Sequence, residues 1–265
     1  MIPGSTHKAV EKALKILFSF VPDNRPQGTI ELSEHLNIHK STVSRLLQVL
    51  TRFNLLEKHP HTQKFHLGKA AGTLGEAFNI SLNASLVSLV QPQIDRLRYK
   101  LDETVVLEVL ARQSTVLLYA AEGPGPVFIR EAAGEKRPAH TSAGGKLLLA
   151  HAPPEVRDRY LAHRLPKVTP NTITDLTELN VQFMKIRKQG FAIDNEEVHI
   201  GIRAVAVPIF NENQNAIAAI VMSGMAQKIA LDQCHSIAGV LAEGSAKITK
   251  LLIESATNFV ADGSD

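Results

Sequence analysis

The sequence contains no tryptophan and a single cysteine, Cys234, among its 265 residues. One cysteine cannot form a disulfide within the chain, and we expect it to pack in an apolar core rather than to act as a redox group. No apolar run reaches the roughly 20 residues of a membrane-spanning helix, and the N-terminus lacks the features of a secretory signal. We therefore predict a cytoplasmic protein that has no membrane partner.

The charged residues are unevenly distributed along the chain. Residues 1–68 contain nine Lys and Arg against five Asp and Glu, whereas residues 69–265 contain twenty against twenty-one. The first segment therefore has a formal charge of +4 and the second a charge of −1. A local basic excess is what attraction to phosphate groups requires, although many proteins that bind no nucleic acid share it.

Three helices are predicted in the basic segment. The first ends at Pro22, and the second covers about residues 31–36. Asn37 follows the second helix and tolerates the left-handed backbone of a tight turn. The third helix opens near Lys40 and has a one-sided apolar stripe. The apolar positions are Val10, Ala13, Leu14, Leu17, Phe18 and Val21 in the first helix and Val43, Leu46, Leu47 and Leu50 in the third.

The polar face of the third helix contains side chains that can bond to phosphates or to base edges in a major groove. From periodicity alone, an ordinary solvated face explains them equally well. Two short extended runs follow at residues 55–58 and 64–67, around a polar tip, and they predict a β-hairpin. Three helices followed by a hairpin make a winged helix-turn-helix.

Five histidines lie between residues 35 and 66, and three of them surround the predicted hairpin. The spacing of those three matches no usual zinc pattern, and no cysteine lies nearby, so we predict no metal site. Histidines on a wing fit contact with a phosphate backbone instead. The five are His35, His39, His59, His61 and His66.

Residues 32–47, with the sequence LSEHLNIHKSTVSRLL, resemble the second and recognition helices of the IclR family of bacterial transcriptional regulators. The family usually has Gly where this chain has Asn37 and Pro where it has His39, and neither change blocks the turn. The resemblance implies DNA contacts from the start of the third helix. The predicted DNA-binding residues are Ser33, His39, Lys40, Ser41, Thr42, Ser44, Arg45, Gln48, His61 and Lys64.

Residues 65–76 are similar to the family elements that end the wing and begin a linker helix, a segment that supports dimerisation in the family. Gly68, Gly72 and Gly75 argue against a rigid helix from the start, and Pro92 predicts a break further on.

We predict three segments: a winged helix-turn-helix domain at 6–68, a linker and interdomain helix at 69–100, and an effector-binding domain at 101–260. The pattern of the last segment predicts an α+β fold, a mostly antiparallel sheet with helices packed on it. Strands are predicted at residues 104–110, 115–120, 127–130, 191–193, 202–210 and 216–223, and helices at residues 142–151, 154–162, 175–189 and 232–259.

Three motifs in this segment match the same family: GEKRPAHTSAGGKLLLA at residues 134–150, GFAIDNEE at 190–197 and GIRAVAVPIF at 201–210. The resemblance therefore covers nearly the whole chain and implies a GAF-like sensor domain that binds a small metabolite, often a carboxylate. The helix that opens at Ser142 offers backbone N–H groups to such an anion. The predicted effector-binding residues are Arg137, Ser142, Ala143, Gly144, Asp194, Ile202, Ala204, Val221 and Ser223.

Two of these positions depart from the family pattern, which usually has Cys where this chain has Ala204 and often Ser where it has Val221. The more apolar wall favours a larger or more apolar organic acid, for example an aromatic one, with Arg137 as its counter-charge at the rim. Ordinary strand core is the alternative role for Ala204 and Val221. We expect Asp194, Glu196 and Glu197 to form a loop that closes the pocket.

Enzyme motifs fail on spacing. A phosphate loop at Gly144-Gly145-Lys146 would need Gly at position 140 and Ser or Thr at 147, and Ser142 and Lys146 are four residues apart rather than three. A redox or metal sensor on the same scaffold is the alternative, but it would need several Cys or His at the dimer or pocket surface, and the sequence lacks them. We predict a cofactor-free dimer or tetramer, repressor or activator, that binds double-stranded operator DNA and responds to a small organic acid of carbon-source catabolism.

Overall fold

A computed structural model of the chain describes residues 4–21 and 23–261. The chain divides into two compact units, Met1–Leu82 and Asn83–Asp265. The three-segment organisation at 6–68, 69–100 and 101–260 remains a prediction. None of the helices in the two described ranges combines the length and the apolar character that crossing a bilayer would require.

The first unit has the element order of a winged helix-turn-helix, as predicted. The strands of its hairpin pair antiparallel, and Gln27 adds a third, one-residue bridge to Phe65. The buried residues of all three helices and both strands form one small core. The elements are α1 (Gly4–Phe18), α2 (Thr29–Leu36), α3 (Lys40–Arg52), β1 (Leu56–Lys58) and β2 (Phe65–Leu67).

The buried face of α1 is not the one that the sequence suggested. Ile16 and Phe20 are buried in the core of the unit. The predicted stripe mixed two neighbouring helix faces, and its last residue lies beyond the end of the helix. Most of that stripe is exposed: Val10 is 57%, Leu14 47%, Phe18 70% and Val21 59% accessible.

The turn between α2 and α3 has the predicted geometry. Asn37 adopts a left-handed conformation with φ of 52°, and its N–H donates to the carbonyl oxygen of Glu34. The N–H of Ile38 donates to the carbonyl oxygen of Ser33 at 3.1 Å, so the reversal closes the last turn of α2. Asparagine therefore replaces glycine here without blocking the fold.

Gly68 ends the wing where two backbone segments meet. A Cβ at this position would collide with the carbonyl oxygen of Asn54, whose carbonyl carbon would be only 3.0 Å away. The same oxygen accepts a hydrogen bond from the N–H of Ala70 at 3.0 Å, so the contact is fixed from both sides.

Replacing Gly68 with alanine is expected to lower the free energy of unfolding by about 1–3 kcal/mol, because the backbone has to move to make room. Urea denaturation measures the change. Gly72→Ala is the matched control, since its Cβ would meet no heavy atom within 4 Å among the described residues outside the adjoining backbone of its own helix. That variant lies in a helix and should be neutral or up to about 1 kcal/mol more stable. Equal effects of the two substitutions would contradict this account.

The predicted interruptions of the linker helix are wrong. A single helix, α4 (Lys69–Leu101), includes Gly72, Gly75 and Pro92. The glycines cost helix propensity only, on the order of 1 kcal/mol each. Around the proline, Val90 and Ile94 are fully buried in the core of the second unit. Packing of these side chains offsets the backbone hydrogen bond that a proline cannot make.

The second unit contains a six-stranded antiparallel sheet with the order β5-β4-β3-β8-β7-β6, which confirms the predicted α+β class. Its strands are β3 (Thr104–Ala111), β4 (Ser114–Ala121), β5 (Lys136–Pro138), β6 (Ala192–Asn195), β7 (Ile202–Phe210) and β8 (Ala216–Met225). Its helices after α4 are α5 (Ala143–His151), α6 (Pro154–Leu161), α7 (Leu176–Gln189), a short 3-10 helix (Leu231–Gln233) and α8 (Cys234–Ala261).

The strand predicted at residues 127–130 is wrong. These residues form an irregular segment in which Val127 is exposed, and the edge strand is β5, which pairs with β4. Pro126 immediately before the segment cannot donate to a ladder. The apolar side chains of Phe128 and Ile129 instead line a cavity.

Both faces of the sheet are covered, which explains why β7 and β8 have almost no polar residues. On one face, Val205 and Val207 pack with α4 and α8, in a core that also contains Cys234. On the other face, Ala204 and Ala206 pack with α5 and α7. The prediction that Cys234 packs in an apolar core is confirmed, since it is 1% exposed.

Candidate functional site

The first candidate site is the exposed face of α3. Val43, Leu47 and Leu50 are buried, which turns the opposite side of the helix to solvent. This helix, with the sequence KSTVSRLLQVLTR, contains three basic residues and no acidic one. Among the predicted DNA-binding residues of α3, Lys40, Ser41, Arg45 and Gln48 are exposed, and Thr42 and Ser44 are half-buried.

Three of the predicted contacts have local structural partners. The Ser33 hydroxyl donates to the carbonyl oxygen of Ile38 at 2.8 Å and so braces the turn. His39 is the N-cap of α3: its Nδ1 accepts the N–H of Ser41 at 3.4 Å and lies 2.8 Å from the Ser41 hydroxyl. The cap therefore fixes the direction of the first turn of α3, which contains Ser41.

The wing is held against α2 by an ion pair. Lys64 Nζ lies 2.7 Å from Glu31 Oε1, and the other oxygen of Glu31 accepts the N–H of Gly28 at 2.7 Å. The hydrogen bond from Lys64 lowers the pKa of Glu31. His61 is exposed at the tip, with its ring 5.9 Å from that of His59. To contact a DNA phosphate, the Lys64 ammonium group must either bind the phosphate and Glu31 at the same time or break its ion pair with Glu31.

The second candidate site is a cavity of about 330 Å³ in the second unit. It lies between the start of α5, strands β3, β6, β7 and β8, and the segment before β5. Eight of the nine predicted effector-binding residues line it, with Gly144 as the exception. The eight are Arg137, Ser142, Ala143, Asp194, Ile202, Ala204, Val221 and Ser223.

The N-terminus of α5 is already next to a carboxylate from the chain itself. Ser142 caps the helix by accepting the N–H of Gly145 at 3.0 Å, and its hydroxyl donates to Glu108 Oε2 at 3.3 Å. A side chain at Gly144 would collide with that same carboxylate. The small residues here therefore make room for Glu108, where the sequence suggested a carboxylate of the ligand.

Arg137 lies in the wall of the cavity rather than free at its rim, and its side chain is only 15% exposed. Its guanidinium forms an ion pair with Glu131, lies 2.9 Å from Glu135 and 3.7 Å from Glu108. The Ser223 hydroxyl donates to Glu131 Oε1 at 3.3 Å. The predicted counter-charge for a ligand is thus neutralised by glutamates of the chain.

Asp194 is the one acid among the nine predicted effector-binding residues, and it is buried. Its Oδ1 accepts the N–H groups of Glu197 at 2.6 Å and Val198 at 3.4 Å. Burial raises the pKa of Asp194 to about 7, although the charge of Lys146 opposes the shift. Burial likewise raises the pKa of Glu108 to about 7, with Arg137 opposing it.

The pocket-closing loop expected at Asp194, Glu196 and Glu197 needs correction, because only Asp194 lines the cavity. Glu197 is buried and forms an ion pair with the buried Lys146. A carboxylate oxygen of Glu196 accepts the N–H of Gly201 at 2.8 Å. These bonds hold the loop in place behind the cavity wall.

Sequence reasoning missed three acids that line the cavity, Glu108, Glu131 and Glu135. Glu108 did leave a signal: it is the one charged residue in the apolar run TVVLEVL of β3. A charge in a strand that is otherwise apolar is buried at a high cost unless it has a partner or a function.

Comparison with known proteins identifies the family of both units. Residues 9–60 match the IclR helix-turn-helix domain, and residues 80–250 match the bacterial transcriptional regulator IclR C-terminal domain. The chain belongs to the IclR family. It is therefore a DNA-binding transcription regulator with an effector-binding domain, and not an enzyme.

IclR-family relatives align with most of the chain. The HTH-type transcriptional regulator BhcR of Paracoccus denitrificans is 34% identical over 82% of this chain and 77% of its own length. The crystal structure of the Thermotoga maritima IclR is 28% identical, with a TM-score of 0.61, over 93% of this chain and 99% of that one. An IclR homologue from Microbacterium hydrocarbonoxydans, complexed with 4-hydroxybenzoate, is 25% identical, with a TM-score of 0.60, over 92% and 98%.

The buried acids make the stability of this IclR-family protein depend on pH. The pKa of Glu108 rises from 4.5 to about 7 on folding, so the folded protein retains a proton that the unfolded chain has released in this range. The free energy of unfolding should therefore fall as pH increases from about 4.5 to 7, by on the order of 2 kcal/mol for this group.

Urea denaturation of Glu108→Gln at a series of pH values tests this expectation. The free energy of unfolding of the variant should depend less on pH than that of the wild type, because Glu108 no longer contributes. The contribution of Asp194 should remain. Glu212→Gln, in the exposed turn after β7, is the control and should leave the slope unchanged. Identical pH profiles for wild type and Glu108→Gln would refute the assignment.

Proposed function

We propose that this regulator binds double-stranded operator DNA through the exposed face of α3 and the wing, and that a small organic molecule in the cavity of the second unit modulates the binding. One observation carries the proposal most: residues implied as effector contacts by the family resemblance surround a single cavity. The ligand acts by favouring one of two protein geometries, and only through its difference in affinity for them.

The surface of α3 is suited to a major groove. Ser41, Arg45 and Gln48 are exposed and stand at helical spacing on one side of the helix. No acidic residue of α3 opposes a phosphate, and the wing adds His61 and Lys64. Arg45 supplies a planar donor that can pair with two acceptors of a guanine or a phosphate.

We further propose that the protein works as a homodimer or tetramer. A single winged helix reads too short a site to be selective, and paired half-sites are the usual solution. Apolar residues left exposed on α1, Val10, Leu14 and Phe18, support association through the first unit, because soluble monomers rarely expose rows of large apolar side chains. Light scattering of the purified protein measures the mass of the assembly.

For the ligand, the proposal is a small organic acid of carbon-source catabolism, in a protein of the cytoplasm, where operator DNA is. The similar structure with 4-hydroxybenzoate supports a ligand of aromatic size, and the apolar wall residues Ile202, Ala204 and Val221 suit such a ring. The carboxylates of the cavity disfavour an acid that has no other charge.

Selection of bound duplexes from a random DNA library by the full chain tests the proposal. The expected result is enrichment of one motif with two symmetry-related half-sites. An enriched motif without symmetry would refute the paired arrangement. Recovery of no motif, with uniform retention of all sequences, would refute sequence-specific operator binding.

A further inference from the structure

We infer that the ligand of the cavity carries a positively charged nitrogen group, an ammonium, amidinium or guanidinium, which binds between Glu108 and Asp194. The inference rests on the proposed function, because it names the class of molecule to which the regulator responds. The ligand can still be an organic acid, but its cationic nitrogen group enters the cavity and its carboxylate stays at the mouth, whereas the sequence-based expectation placed the carboxylate inside.

The charges that line the cavity are mostly negative. Of the two arginines in the wall, Arg130 has a side chain that is 81% exposed and lies 3.4 Å from Glu122, so it faces solvent. The other, Arg137, already contacts three glutamates. The cavity has four carboxylates in its wall: Glu108, Glu131, Glu135 and Asp194.

Arg137 is shared as counter-charge by three of these carboxylates, and no ion pair between Arg137 and Asp194 is found among the residues that the structure describes. It contacts Glu131 and Glu135 directly, whereas its nearest approach to Glu108 is 3.7 Å. Asp194 receives hydrogen bonds on Oδ1, and none of the residues that the structure describes donates to Oδ2. Both Glu108 and Asp194 are at least 97% buried. A buried carboxylate with spare acceptor capacity favours a cationic donor over water or an anion.

A simple anion would lack a binding position in the interior. The N-terminus of α5, the usual place for a carboxylate, lies against Glu108. A carboxylate on the same ligand would have to lie at the mouth, where the guanidinium of Arg130 is exposed and His199 offers ring nitrogens. The remaining wall accepts an apolar body and consists of Phe128, Ile129, Val198, Ile202, Ala204 and Val221.

The change of affinity with pH distinguishes a cationic ligand from an anionic one. Because burial raises the pKa of Glu108 and of Asp194 to about 7, a cation that needs both ionised should bind more tightly as pH rises. The expected gain is roughly tenfold per linked group between about pH 6 and 8, whereas an anion should lose affinity over the same range. The other charged or titratable groups near the pair are Glu131, Glu135, Arg137, Arg130, His199, Lys146 and Glu197.

Calorimetric titration of the full chain with three probes of the same shape tests the inference. The probes are benzamidinium, benzamide and benzoate, which differ in charge and share a ring. Benzamidinium should bind at least about tenfold more tightly than benzoate near pH 8, and its affinity should rise from about pH 6 to 8. Benzamide should fall between the two and show little dependence on pH.

Variants assign the effect to the cavity. Glu108→Gln and Asp194→Asn should each reduce the preference for benzamidinium and flatten its pH dependence. Glu212→Gln removes the same charge from an exposed turn and should change neither. If a cavity variant fails to fold, the comparison of the three probes on the wild-type protein still tests the inferred charge of the ligand.

Three results would overturn the inference: benzoate binding as tightly as benzamidinium, benzamidinium losing affinity as pH rises, or no probe binding at about 10 mM. None of them bears on operator binding, which the duplex selection measures without a ligand. A failure of the proposed function would instead appear as the absence of an enriched motif.

Discussion

Replacing Arg45 with alanine is expected to lower the affinity for the operator by at least tenfold and to leave probe binding in the cavity unchanged. Arg45 is exposed on α3, opposite the buried side chains that fix the helix in its core. An arginine that contacts a base edge or a phosphate contributes about 1–3 kcal/mol per copy, and two copies act in a dimer. Fluorescence anisotropy with the selected duplex measures the loss.

The matched control for Arg45 is Arg159→Ala, which removes the same charge from the exposed side of α6. Its effect on DNA binding should stay within about twofold, as expected of a charge outside the contact surface. A loss confined to one base position would indicate base readout, and a uniform loss with a lower salt slope would indicate a phosphate contact. Normal DNA binding by Arg45→Ala would show that α3 is not the recognition helix.

Replacing Lys146 with methionine is expected to lower the free energy of unfolding by about 3–5 kcal/mol, because it leaves Glu197 buried without a counter-charge. The side chains of Lys146 and Glu197 are 2% and 4% exposed. A second carboxylate oxygen of Glu197 is buried and has no hydrogen-bond partner among the residues that the structure describes. Urea denaturation at neutral pH measures the loss.

A double-mutant comparison separates the ion pair from packing. The variant with both Lys146→Met and Glu197→Gln should be more stable than Lys146→Met alone, because residue 197 then no longer carries an unpaired buried charge. Lys100→Met is the control, since Lys100 and Glu243 form a pair with side chains 55% and 68% exposed. It should cost less than about 1 kcal/mol. Equal losses for Lys146→Met and Lys100→Met would contradict the structural role assigned to Lys146.

The sequence was sufficient for elements whose signals are local. The turn at Asn37, the one-sided stripe of α3 and the two strands of the wing were all predicted from neighbouring residues, and the structure contains them. Family motifs in distant parts of the second unit also pointed to one place. Register explains why, since Asp194 lies opposite Ala204 and Ala204 lies opposite Ser223 on three adjacent strands.

The sequence-based predictions were wrong where tertiary packing outweighs local conformational preference. Glycines and a proline predicted breaks in α4, but buried side chains on either side of Pro92 hold the helix together. The apolar residues of α1 occupy two faces, and periodicity alone could not tell that the face of Ile16 is the buried one, together with Phe20 just beyond the helix. In both cases the deciding contacts come from residues far away along the chain.

The electrostatics of the cavity could not be predicted from the sequence either. Arg137 resembled a free counter-charge because the sequence does not show that Glu108, about thirty residues earlier, reaches the same place. Strand β4 pairs with both β3 and β5 and thereby brings the two side chains within 3.7 Å. The balance of charges in a buried site depends on such contacts between strands. The motifs therefore could not predict which charge the cavity favours on a ligand.

The most direct test of the central claim is fluorescence anisotropy of the purified chain on its selected duplex, beside a scrambled duplex of the same composition, at low and high salt. The account predicts binding at least about a thousandfold tighter to the selected duplex, with affinity falling steeply as salt rises. Equal and weak binding to both duplexes would contradict the proposal that α3 and the wing form a sequence-reading surface.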